Sequence, residues 1–234
     1  MLELYLIRHG KSTWNQTGRI QGQTDVPLSE EGEKQAQALA KRLKHWKFDH
    51  VYSSDLQRAK QTAEAVYPNG TITFDKRLRE IHLGDFEGRT WNEMTDEERD
   101  VFAVQFAGPY QQRVPGGESN DDLRDRALAW LADLPKEGRV VAFTHGGFIV
   151  SVLQSIVGRP EPRHWKKMEG WGFWIENTSL TQVLVDENFK TIHTVGDYSH
   201  LETLKAEKEK LRHEAQSEAL EKESKEAKEG TIVR

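Results

Sequence analysis

Leu2-Glu3-Leu4-Tyr5-Leu6-Ile7-Arg8-His9-Gly10 stands almost at the start of the 234-residue chain. Residues 2–7 are mostly apolar and read as a buried strand, so Arg8-His9-Gly10 falls where that strand ends. Strand ends in an α/β sheet are where ligands bind. Arginine is a fixed cation whose planar fork fits phosphate. Histidine, with an unperturbed pKa of about 6.5, can act as a nucleophile or base at ordinary pH. Glycine lets the backbone come close to a ligand. The triplet therefore suggests a phosphate site centred on a histidine nucleophile. By itself it also fits a solvated surface pair, so the rest of the chain has to decide.

Length and composition bound the alternatives. A chain of this size builds one large domain, or one domain with an insertion, and can bury roughly 70–75% of its unfolded surface. Its net charge of -5 argues against general binding to nucleic acid or a membrane surface, while leaving room for a local basic pocket. The absence of cysteine excludes disulfides, thiol catalysis and Cys-ligated metals. No cationic segment followed by a long apolar run opens the chain, and no apolar run approaches the ~20 residues that span a bilayer. A cytoplasmic location is expected. Asn15-Gln16-Thr17, Asn69-Gly70-Thr71 and Asn177-Thr178-Ser179 match the glycosylation pattern and read as chance matches.

Residues 11–28, rich in Gly and polar groups, read as a loop after the first strand. Ser29 is placed to cap a helix whose apolar face is Ala36, Leu39, Ala40 and Leu43. Residues 48–52 form a second short strand, and Ser53-Ser54-Asp55 leads into a helix over 56–67. Arg58 in its first turn is electrostatically out of place. Either Asp55 offsets it as an i,i+3 pair, or it belongs to a functional site. A third strand is expected over 71–74. Glu80, between Arg79 and apolar residues, is a partly buried carboxyl whose pKa would be raised, as a general acid requires. His82 and Glu87 are weaker candidates of that kind.

Residues from about 91 to 115 break the strand-helix alternation. Trp91, Met94, Val101, Phe102, Val104, Phe106 and Tyr110 mark an aromatic-rich helical insertion over the sheet edge, a lid for the non-phosphate part of a ligand or simply a subdomain core. Pro115-Gly116-Gly117-Glu118-Ser119 opens a helix with the stripe Leu123, Ala127, Trp130, Leu131 and Leu134. Residues 139–144 form the clearest strand, ending in His145-Gly146-Gly147 before an apolar helix over 148–157. A helix start there suits an anion. Strands are expected over 172–176 and 180–185, the second joined by Asp186-Glu187-Asn188 to 191–195 as an edge hairpin. Residues 205–229 are charge-balanced and helix-prone, a solvated tail.

Arg8, His9, Arg58 and His145 thus all lie at expected strand ends or the helix starts after them. In a parallel sheet those ends share one edge, so the four can converge on one anion. The segments Leu6-Ile7-Arg8-His9-Gly10, Ser53-Ser54-Asp55-Leu56-Gln57-Arg58-Ala59, Leu78-Arg79-Glu80 and Thr144-His145-Gly146 resemble the histidine phosphatase superfamily, also called phosphoglycerate mutase-like, over residues 2–197. The resemblance implies an α/β three-layer sandwich. Its mostly parallel central sheet would carry helices on both faces, a helical insertion at about 85–116 and an antiparallel edge hairpin. Residues 1–198 would be the domain and 199–234 the tail.

It also implies roles. His9 would attack phosphorus and become a phosphohistidine. Glu80 would protonate the leaving oxygen and later activate water. Arg8, Arg58 and His145 would hold the phosphoryl oxygens, with Asn15, Gln21, Gly22 and Gly146 completing the binding set. The partner would be a small phosphomonoester, and no metal or other cofactor is implied. A metal on His9, His145 and Glu80 is the rival chemistry, but two arginines in the pocket would repel a divalent cation. Mutases resembling this family carry a longer insertion than residues 81–117 provide, which points toward the cofactor-independent, broad-specificity phosphatases. A phosphoglycerate mutase and a phosphate-binding module without turnover are the alternatives.

Overall fold

A computed structural model describes residues 1–107, 110–159, 172–187, 189–204 and 206, the backbone alone for 104–107. The chain divides into two units, Met1–Tyr198 and Ser199–Arg234. In the first, strands β1 (Leu2–Arg8), β2 (His50–Ser53), β3 (Thr73–Phe74), β4 (Gly138–Thr144), β5 (Leu180–Val185) and β6 (Lys190–Asp197) form one sheet in the order β3-β2-β4-β1-β5-β6. The pairs β3-β2, β2-β4 and β4-β1 are parallel, whereas β5 runs antiparallel to both β1 and β6. The α/β fold with a mostly parallel sheet and an antiparallel edge hairpin is as expected. Of the hairpin turn, Asn188 lies outside the described residues.

Alternation along the strands builds two cores. Leu2, Leu4 and Leu6 of β1, with Val140 and Ala142 of β4, point to one face; Tyr5, Ile7, Val141 and Phe143 point to the other. The first face is covered by helices carrying Leu123, Ala127 and Trp130 (α5, Asn120–Ala132) and Phe148, Ile149, Val152 and Leu153 (α6, Gly146–Val157). The second is covered by Leu39 and Leu43 of α2 (Glu30–Leu43) and Ala63 of α3 (Gln57–Val66). Ser29 caps α2 by accepting from the Gly32 N–H. Ser119 caps α5 in a reciprocal box with Asp122.

Four expectations change. Within 11–28, the short helix α1 (Thr13–Thr17) replaces part of the loop, because Ser12 and Asn15 form a capping box and Gly18 ends it in a left-handed conformation. Residues 172–176 are not a strand. They run irregularly, leaving Trp174 exposed, and the Ile175 carbonyl is taken by Arg8 rather than by a sheet ladder. The strand expected over 71–74 keeps only Thr73 and Phe74, an exposed edge paired with β2 alone. Ser53, Ser54 and Asp55 do not cap α3, whose first position is preceded by Leu56 with no side-chain cap.

The insertion contains helix α4 (Asp96–Ala107). Met94 and Phe102 are buried in the first core, as subdomain packing requires, while Trp91 and Val101 are exposed. Backbone bonds from Ile20 to Arg89 and from Gly88 to Ile20 stitch its start to the segment after β1. The side chains of Val104 and Phe106 lie outside the described residues. In the second unit a 3-10 turn spans Ser199–Leu201; the helical tail expected over 205–229, apart from residue 206, lies outside the described residues. No helix among those described is long and apolar enough to cross a membrane.

Candidate functional site

The sheet order makes β1, β4 and β2 neighbours, and their registers bring their C-terminal ends level: Arg8 stands beside Thr144, and Ser53 beside Phe143. The residues after these ends therefore meet. His9 and His145 lie with ring centroids 5.1 Å apart. His9 is 2% exposed; His145 and Arg58 are fully buried.

Each side chain is oriented by identifiable bonds. Nδ1 of His9 lies 2.7 Å from the Gly10 carbonyl oxygen. A carbonyl can only accept, so this nitrogen carries the proton and Nε2 holds the free lone pair. The Gly10 N–H donates to Thr62 Oγ1 at 2.9 Å, and that hydroxyl donates to the Arg58 carbonyl, locking the first strand end to α3. Arg58 donates from its terminal nitrogens to the carbonyls of Thr24 and Gly22, at 2.8 and 2.7 Å. Arg8 donates to the Ile175 carbonyl at 2.6 Å. Asp55 does not offset Arg58; it makes a two-point ion pair with Arg79.

Glu80 is half-buried. Its carboxylate accepts from the Ile81 N–H at 3.0 Å and from the Gly147 N–H, in the first turn of α6, at 3.1 Å. Three of the buried nitrogens without a hydrogen-bond partner among the described residues belong to this cluster: Nε of Arg8, Nε of Arg58 and Nδ1 of His145. Buried polar groups are ordinarily paired, and a buried cation left partly unpaired is costly. Several unpaired nitrogens on one cluster with two arginines call for an anion.

The electrostatics agree. Burial, then the charges of Arg58 and Arg8, hold His9 well below the usual histidine range, against a smaller opposing effect of the Gly10 carbonyl. Burial and Arg58 do the same to His145. Burial brings the Arg58 guanidinium down to about 10, opposed chiefly by Glu80. Both rings are therefore neutral at neutral pH while Arg58 stays charged.

Of the expected set, Arg8, His9, Arg58, Glu80, His145 and Gly146 come together; a Cβ on Gly146 would sit 3.5 Å from Nε of Arg8. Asn15 and Gln21 form a second group through Ser12, whose backbone and hydroxyl reach the Asn15 amide oxygen and whose hydroxyl lies 2.7 Å from Oε1 of Gln21. Gly22 connects the two groups through its carbonyl on Arg58. Gly10 acts differently from expectation: a Cβ there would meet the Gly32 carbonyl oxygen at 2.7 Å, so it admits helix α2 rather than a ligand.

Sequence reading passed over Arg126 and gave Glu87 and Asn177 other roles. Arg126 donates to the carbonyls of Arg77, Arg79 and Glu80 and pairs with Glu118. Glu87 accepts from Gln23 N, Thr24 Oγ1 and Leu83 N, pinning the loop that presents carbonyls to Arg58. Asn177 donates to the His9 carbonyl, next to Thr178 in a left-handed conformation rare for a β-branched residue. Spacing along the chain carries no signal for contacts this remote.

The profile of the histidine phosphatase superfamily (branch 1) matches residues 4–198. The chain belongs to the histidine phosphatase superfamily. Among relatives, it is similar to a probable phosphoglycerate mutase of Salmonella typhi, 37% identical over 213 residues that cover 87% of this chain and 96% of that one. Solved structures share its fold. A mutant phosphoserine phosphatase from Entamoeba histolytica in complex with phosphoserine matches at TM-score 0.71 and 28% identity, covering 86% of this chain and 100% of that one. A mycobacterial glucosyl-3-phosphoglycerate phosphatase in complex with VO3 matches at 0.67 and 30%, covering 83% and 98%.

Proposed function

We propose that this histidine phosphatase superfamily enzyme hydrolyses small phosphomonoesters through a phosphohistidine on His9. The observation that carries the reading is the set of unpartnered buried nitrogens on Arg8, Arg58 and His145 beside a histidine whose Nε2 lone pair is free. In the first step Nε2 attacks phosphorus and the ester oxygen leaves, taking a proton from Glu80. In the second, Glu80 accepts a proton from water as the water oxygen attacks the phosphohistidine, releasing phosphate and restoring Nε2. Arg8, Arg58 and His145 donate to the phosphoryl oxygens in both steps. Asn15, Gln21, Gly22 and Gly146 complete the proposed binding set.

Magnitude favours this division of labour. Phosphomonoester hydrolysis without a catalyst is slow enough to need accelerations of up to ~10²¹. One charged contact supplies a few kcal/mol at most. A covalent step, several fixed donors and a positioned acid acting together supply far more. No step requires a metal, and two arginines repel one.

Hydrolysis is preferred over phosphoglycerate isomerisation because the family resemblance gives mutases a longer segment than 81–117, and because solved neighbours include a phosphoserine phosphatase and a sugar-phosphoglycerate phosphatase. The resemblance to probable mutases keeps the second reading in the test. Purified protein is offered a panel of phosphomonoesters without metal, including 3-phosphoglycerate with and without its bisphosphate. Phosphate release across several esters, with an acid-labile, base-stable phosphoprotein that His9→Ala cannot form, is the expected result. Isomerisation that depends on the bisphosphate would make the chain a mutase. Binding without either reaction would make it a phosphate sensor.

A further inference from the structure

The geometry points to Ser54 as a positioning residue that fixes His145 in the tautomer with its proton on Nδ1. Ser54 and His145 are both fully buried. The Ser54 hydroxyl oxygen lies 2.9 Å from Nε2 of His145. That oxygen also accepts from the Leu56 N–H at 3.3 Å, in the turn that leads into α3. The hydroxyl also has its own hydrogen to place, and among the described residues the acceptor it reaches is Nε2 of His145. A ring nitrogen that accepts carries no proton. Burial and the nearby arginines keep the ring from taking up a second proton. The single proton of the neutral ring then sits on Nδ1, the nitrogen without a partner in the described structure.

The consequence is specific. With the proton on Nδ1, His145 presents an uncharged donor to an anion. In the other tautomer it would present a lone pair, which repels a phosphoryl oxygen. The tautomer follows from the contacts of Ser54; the claim that Nδ1–H donates to a phosphoryl group rests on the function proposed above. Ser54 reads in the sequence as part of a helix start, yet its hydroxyl faces His145, and the first N–H of α3, that of Gln57, donates to Asp25 instead.

The test begins with the full-length, 15N-labelled protein near neutral pH without added anion. Long-range proton–nitrogen correlation, with His145→Ala identifying the signal, is expected to show a protonated Nδ1 and a bare Nε2. The opposite pattern overturns the proposal without needing any variant. Ser54→Ala should then shift the ring toward the Nε2–H tautomer and weaken orthovanadate binding about tenfold to a hundredfold, the effect of one hydrogen bond to a charged group. In a His145→Ala background the same change should cost nothing further; an equal second loss would mean that Ser54 acts only on packing, and would overturn the proposal. If the parent protein neither binds vanadate nor releases phosphate, the function reading fails while the tautomer measurement stands.

Discussion

The N–H of Gly147 donates to Oε2 of Glu80 across 3.1 Å, and a Cβ on residue 147 would lie 2.3 Å from Oε1 of the same carboxylate. The second strand-end glycine pair thus has a division of labour. Gly146 packs against Arg8, and Gly147 leaves space for Glu80 at the start of α6. Because the obstructed atom is the end of a flexible side chain, Gly147→Ala is expected to move Glu80 rather than break the fold. Turnover should fall about tenfold or more, since a general acid is effective only within hydrogen-bond reach, while the midpoint of urea unfolding changes little. Unchanged turnover in a folded variant would remove this contact from the mechanism.

How much of this was legible in the chain depends on the range of the signal. β1 and β4 were readable because they are mostly apolar runs leading into His-Gly pairs, and their parallel pairing then follows from sheet topology. Arg58 was readable as a local electrostatic conflict, though its resolution is the carbonyls of Gly22 and Thr24 rather than Asp55. The Ile175–Ser179 stretch was not. Residues 172–176 have apolar side chains typical of a strand, but their backbone serves Arg8, and Asn177, noticed only as a glycosylation match, is 6% exposed and holds the His9 carbonyl. Such contacts join residues 167 or 168 positions apart, a separation at which periodicity says nothing.

Arg126 links three consecutive features of the Glu80 segment. Its guanidinium donates to the carbonyls of Arg77, Arg79 and Glu80 and to the Glu118 carboxylate, with little of either side chain exposed. Arg126→Met removes the donors but retains much of the volume. It takes the guanidinium from three part-buried carbonyls and leaves the Glu118 carboxylate with only the His82 N–H and the Gln23 amide as donors, a loss of about 2–4 kcal/mol. The expected result is a lower urea midpoint together with reduced turnover, because the backbone carrying Glu80 loses its anchor. Retained stability would show that water replaces the guanidinium at little cost.

Gly32 reverses an ordinary rule. Replacing a helical glycine by alanine usually stabilises by about 1 kcal/mol. In α2, a Cβ on Gly32 would lie 2.0 Å from the Lys11 carbonyl oxygen, a backbone atom, while the carbonyl of Gly32 itself fills the Cβ position of Gly10. The two glycines let α2 press against the chain immediately after His9. Gly32→Ala is expected to destabilise by about 1–3 kcal/mol, as overpacking does, and to weaken vanadate binding through displacement of Gly10. A more stable variant would show that the two backbones are not in contact in solution.

The protonation of His9 sets both activity and stability at acid pH. Burial first, then Arg58 and Arg8, hold its folded-state pKa well below the ordinary value of about 6.5 that it regains on unfolding. Between the folded pKa and 6.5 the unfolded chain binds more protons than the folded one. Unfolding free energy therefore rises with pH through that window and levels off above it. His145 acts with the same sign, for burial and Arg58 again keep its ring neutral. Urea unfolding at about pH 5 and about pH 7.5 should show the protein less stable at the lower value, and His9→Gln should flatten part of the difference. For activity the same shift keeps Nε2 unprotonated below pH 6.5, so the acid limb of kcat/KM is expected to lie below that value. A limb centred at or above 6.5 that disappears in no variant of Arg8 or Arg58 would contradict the proposed shielding of the nucleophile.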